Sequence, residues 1–177
     1  MKTLGTMVGG SLKNMTGAIN LESTEYFKIE DFFKSKLIKN QDGIFEHLNN
    51  HFCIQGDAFR GEVMNSPKLI LANYEIISCI NERTIFEELF HYKIYTKFTM
   101  AHVMQICKIH IMEGAKILQE NGQANLFFLD KSYTINLYKR LGKYWCVRVV
   151  PISYFNVWGA EDRLFALNNQ FNPPQLL

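Results

Sequence analysis

KLILANYEIISCI, residues 68–80, is the stretch on which the fold turns. Apolar residues fill most of its positions, and Asn73 and Glu75 interrupt it without setting a clear period. A short apolar run of this kind fits a buried helix or a buried strand equally well by pattern. Helix is the favoured reading, and it makes the first two thirds of the chain helical.

Upstream, Ser23 or Thr24 can cap a helix through EYFKIEDFFKSKLIK, where Tyr26, Ile29, Phe33 and Leu37 form a stripe broadened by Phe32. Asn40 and Gly43 punctuate it. DGIFEHLNNHF then reads as a second, short helix, and QGDAFRGEVMNSP as a loop broken by Gly56, Gly61 and Pro67. Residues 1–22 carry Gly5, Gly9, Gly10 and Gly17 with weak periodicity and read as a flexible arm.

Downstream, NERTIFEELFHYKIYTKF holds a further helix. Thr99 caps the clearest one, MAHVMQICKIHIMEGAKILQEN, which is expected to end at Gly122. Beyond Gly122 the apolar period shortens to that of a strand. ANLFFL, SYTINLYKR and KYWCVRVVP are separated by loops too short for anything but antiparallel neighbours, and RLFALN adds a fourth strand. The expected class is α+β, with N-terminal helices packed on a C-terminal antiparallel meander of three to four strands. A single domain spans 23–172, and 173–177 form a tail.

Parity sets the register of the second hairpin. A two-residue loop would put Ile135 opposite Arg148 and mix polar with apolar residues on both faces. An odd loop, Leu141 to Lys143, pairs Ile135 with Val149, Asn136 with Arg148 and Leu137 with Val147. A one-residue slip turns a strand's side chains over, so the buried face selects the odd loop.

HLNNHFC, His47 to Cys53, places two histidines on one helix face. A zinc protease needs Glu directly after the first His and a third ligand; here Leu48 takes that place, so no metal site is expected. The four cysteines, Cys53, Cys79, Cys107 and Cys146, lie far apart among apolar neighbours, which suits buried free thiols in a reducing, cytoplasmic compartment. Cys53, His102 and Asp130 keep the chain order of a thiol hydrolase, and they stand as the alternative catalytic set. Phosphate-binding, dinucleotide, serine-hydrolase and calcium-loop signatures are missing, and no cofactor is expected.

A net charge of +2 with scattered Lys and Arg argues against a nucleic-acid footprint. No apolar run is long enough to span a bilayer, and the N-terminus has no continuous signal-type core. The 14 Phe and 8 Tyr exceed what a core of this size demands. Tyr138, Tyr144, Trp145, Tyr154, Phe155 and Trp158 crowd the meander and its exit, as candidates for an interface or for a small-molecule pocket under the sheet.

The segment YWCVRVVPISYFNVWGAEDRLFALN resembles the tails of small proteins associated with bacterial Dot/Icm-type type IV secretion. Those tails follow a hairpin with a Trp, a linker and an Arg-x-Phe strand, which here fall on Trp158, Arg163 and Phe165. Glu161-Asp162 stand where they carry Gly-Tyr. The resemblance implies a virulence-associated adaptor or effector, and the N-terminus leaves open a specialised secretion route without a cleaved signal. The functional expectation is therefore a non-enzymatic adaptor or chaperone that holds another protein, with homo-oligomerisation left open. A cysteine-hydrolase effector and a small-molecule-binding domain are the alternatives.

Overall fold

The computed structural model describes residues 7–8, 10–23, 68–91, 94, 98–112, 114–129, 133–140, 144–153 and 155–167. The two helices expected between residues 24 and 52, and HLNNHFC with them, lie outside these. Among the described residues, strand dominates. Two helices, α1 (Glu82–His91) and α2 (Met100–Met112), accompany nine strands: β1 (Met7–Val8), β2 (Leu12–Leu21), β3 (Leu69–Ile76), β4 (Ile80–Asn81), β5 (Asn125–Leu129), β6 (Tyr133–Arg140), β7 (Tyr144–Pro151), β8 (Val157–Trp158) and β9 (Arg163–Leu167). Seven strands form one sheet in the order β1-β2-β3-β9-β5-β6-β7, while β4 and β8 pair separately.

This overturns the expected architecture of helices first and meander last. LILANYEI is strand β3, near the middle of the sheet and not a helix. Its alternation was hidden because both faces are buried: Leu69 and Leu71 enter one core, and Ala72, Tyr74 and Ile76 enter the other. Residues 12–21, read as part of a flexible arm, are strand β2. It runs antiparallel to β3 from Leu12↔Ile76 to Leu21↔Leu69, with Leu12 and Leu21 fully buried. The register shifts between Met15 and Ile19, and Gly17 falls at that shift. A glycine inside a strand commonly marks such a bulge, which explains one glycine that the arm reading had taken for mobility.

The meander β5-β6-β7 forms as expected, and β6 pairs with β7 in the register that parity requires: Ile135↔Val149, Asn136↔Arg148, Leu137↔Val147. Three residues separate the paired ends, Arg140 and Tyr144. RLFAL is a strand too, yet it does not extend the meander. As β9 it lies between β3, which it meets antiparallel, and β5, which it meets parallel. The sheet is therefore mixed.

Each face of the sheet has its own core. On one, Val103, Met104, Ile106 and Cys107 of α2 cover Phe127, Ile135, Leu137 and Phe165, with Phe127 and Phe165 stacked at 4.6 Å. On the other, Ile85 and Leu89 of α1, one turn apart, join Ile80, Trp158, Leu126, Phe128 and Leu164. At about 25 cal/mol per Å² of buried apolar surface, these two layers carry the stability of the described fold. Helix α2 stops ten residues short of the expected end, which was Gly122. Gly114 takes a positive φ of 69° just beyond the helix, and the Ala115 N–H returns to the Ile109 carbonyl.

Candidate interaction site

Asn81 and Glu82 begin the site. Asn81 is the N-cap of α1: its Oδ1 accepts from the Thr84 N–H at 2.9 Å and the Thr84 hydroxyl at 3.0 Å. Glu82 follows as the first helical residue and is fully buried. An unpaired buried carboxylate is costly unless hydrogen bonds replace its water. Here Oε1 accepts from the Thr134 hydroxyl of β6 at 2.5 Å, and Oε2 from the Ser153 N–H at 2.8 Å and the Asn156 Nδ2 at 2.9 Å. The Glu82 N–H donates in turn to the Asn156 carbonyl. Its position at a helix N-terminus adds a favourable dipole.

These bonds fasten the loop that leaves β7. Asn156 also holds the Pro151 carbonyl at 3.1 Å, and the Phe155 N–H donates to the Ser153 hydroxyl at 3.2 Å. On the far side of the loop, β8 pairs with β4 through Ile80↔Trp158 and Asn81↔Val157. Alternation along this short ladder buries Ile80 and Trp158 and turns Val157 outward. Within this braced segment Phe155 is 91% exposed and Val157 63%. Large apolar side chains held in water by a rigid support are what an interface anchor requires.

The remaining aromatics are dispersed. Trp145 is buried in the α2-side core and Trp158 in the α1-side core, so the sheet separates the two tryptophans. Tyr138 is half-buried on β6, Tyr144 begins β7, and Tyr154 lies outside the described residues. Of the six aromatics named from the sequence, Phe155 is the one the structure turns fully to solvent among those described.

His102 has structural employment. Thr99 caps α2 as expected, and His102 reciprocates: its N–H reaches the Thr99 Oγ1 at 3.4 Å, while its Nδ1 accepts the Thr99 N–H at 3.1 Å. Cys53 and Asp130 lie outside the described residues, so no Cys–His–Asp set is assembled among those described. Cys107 is buried, and burial pushes its thiol up to about 12, which leaves it protonated and unreactive. Cys79 corrects the expectation that the thiols are buried, for it is exposed. No group of three or more His, Cys, Asp or Glu that could hold a metal ion occurs among the described residues. Among those residues no helix is long and apolar enough to cross a membrane.

A second polar cluster lies under α2. His110 Nδ1 accepts the N–H groups of Ile117 and Leu118 at 3.2 and 3.1 Å, so the ring proton sits on Nε2 and faces Glu120 at 3.1 Å. Lys139, also 3.1 Å from Glu120, together with His110 holds that carboxyl below its usual range. The His110 ring meets Trp145 edge-on at 5.3 Å. With both nitrogens engaged, His110 ties α2 to the loop that follows it, and the Glu120–Lys139 pair ties that loop to β6. Asp162 does comparable work before β9, accepting from Ala124 N at 2.7 Å and Gly159 N at 2.8 Å.

Sequence reasoning missed Glu82 and Asp162. The Asn81-x-x-Thr84 spacing marks the helix start, but nothing local says that the acid beside it is buried. In comparisons with protein-family models, curated proteins and solved structures, nothing matches this chain.

Proposed function

We propose that this chain is a non-enzymatic protein-interaction protein, an adaptor or chaperone-like binder. The observation that carries the reading is Phe155, almost wholly exposed on a loop that a buried carboxylate fastens at both sides. Preorganisation of this kind lowers the entropy lost when a partner binds. The positions shared with secretion-associated tails carry other duties: Trp158 and Phe165 fill the two cores, and Arg163 donates to the Ile117 carbonyl at 3.0 Å. A link to a bacterial secretion system belongs to the proposal on the tail resemblance alone, with a specialised route lacking a cleaved signal left open. A reducing cytoplasm accords with the free thiols at Cys79 and Cys107.

The test is site-specific photocrosslinking in the source cells, with a benzophenone side chain at position 155 and a control at exposed position 108, on α2. A defined adduct at 155 that disappears in a chain carrying Val157→Asp is the expected result. Equal labelling of unrelated proteins from both positions would remove Phe155 as an anchor, and the reading with it.

A further inference from the structure

Strand β7 is the outermost strand at one end of the sheet among the described residues, and it is eight residues long. On its outer side, an edge strand leaves every second backbone N–H and C=O without a ladder partner. The sequence of this region is one-sided in charge. Residues 131–160 hold five of the chain's 19 Lys and Arg (Lys131, Lys139, Arg140, Lys143 and Arg148) and none of its 17 Asp and Glu. The rest of the chain is therefore net negative, and the β6–β7 hairpin carries a concentrated positive charge that the overall +2 conceals. Arg148 stands exposed in the middle of the edge strand, and Lys139 already holds one carboxylate, that of Glu120.

We propose that the edge of β7 left unpaired among the described residues accepts an extended acidic segment of a partner protein, which adds to this sheet. This rests on the interaction reading and supplies the chemistry of the partner. The backbone groups unpaired among the described residues give the segment its ladder, and a carboxylate placed beside Arg148 meets its charge. A second copy of this chain fits the same edge poorly. Antiparallel self-pairing centred on the strand sets Arg148 against, or one place from, its own equivalent, and like charges directly opposite are destabilising. Pro151, which has no N–H, closes the strand where the loop to Phe155 begins, so an added strand runs toward the exposed ring.

The probe is a peptide of alternating Glu and Val long enough to span β7, compared with its Lys–Val counterpart and with a single-stranded oligothymidylate. Binding to the full chain is followed by fluorescence anisotropy, and the site by amide hydrogen exchange. The proposal expects the Glu–Val peptide to bind in preference to both others and to slow exchange within 144–151. Arg148→Glu, with an unchanged melting curve, is expected to weaken that binding about tenfold. Preference for the oligothymidylate, binding without protection of 144–151, or indifference to Arg148→Glu each overturns it. Photocrosslinking at position 155 is read separately, so a defined partner there with no acidic-peptide binding would refute the β7 edge while leaving the adaptor reading intact.

Discussion

Glu82 shows how much one residue can determine. Removing its carboxylate strands the buried Thr134 hydroxyl and takes a partner from the half-buried Ser153 N–H and Asn156 side chain, and hydrogen bonds to charged groups contribute about 1.5–3 kcal/mol each. Glu82→Ala is expected to lower stability by about 3 kcal/mol or more, and Glu82→Gln by less, because the amide retains one acceptor oxygen. Urea denaturation measures both, and an alanine variant of wild-type stability would show that the loop does not depend on this carboxylate. The thiols offer a second check at this scale. Peptide mapping after brief alkylation of the native protein is expected to find Cys79 modified and Cys107 untouched, since only the first is exposed. Little of this was legible beforehand. Thr99 and Asn81 announce helix starts through local chemistry, whereas the burial of Glu82 depends on Thr134 and Asn156, which are distant in sequence.

At the scale of elements, legibility followed locality. The β6–β7 hairpin was readable down to its register because two adjacent segments and one short turn contain all the information required. Strand β3 was misread because its partners, β2 and β9, come from opposite ends of the described chain and bury both its faces. Strand β2 was missed because its bulge and Gly17 weaken the alternation that would have revealed it. Its pairing makes a prediction opposite to the arm reading. Deleting residues 1–22 removes β1, β2 and the fully buried Leu12 and Leu21, and the remaining chain is expected to lose cooperative unfolding. Circular dichroism melting tests this, and a sharp transition in the truncated chain would return those residues to the status of an arm.

For the molecule as a whole, the two-faced sheet assigns its aromatics to opposite duties. Trp158 belongs to the α1-side core, so Trp158→Ala is expected to cost about 3 kcal/mol, the low end of the large-to-small range. The low end applies because its buried Nε1 has no hydrogen-bond partner among the described residues, and the substitution relieves that penalty. Phe155→Ser, three residues away and exposed, is expected to shift stability by less than about 0.5 kcal/mol. Equal melting temperatures for the two variants would contradict the assignment. The order of the strands has a further consequence, for synthesis. Because β9 follows every other described strand yet lies between β3 and β5, both of those strands wait on the ribosome for a neighbour made last. Until residue 167 has emerged, the nascent chain carries two bare strand edges, one on β3 and one on β5, and is most exposed to mispairing just before its sheet can close.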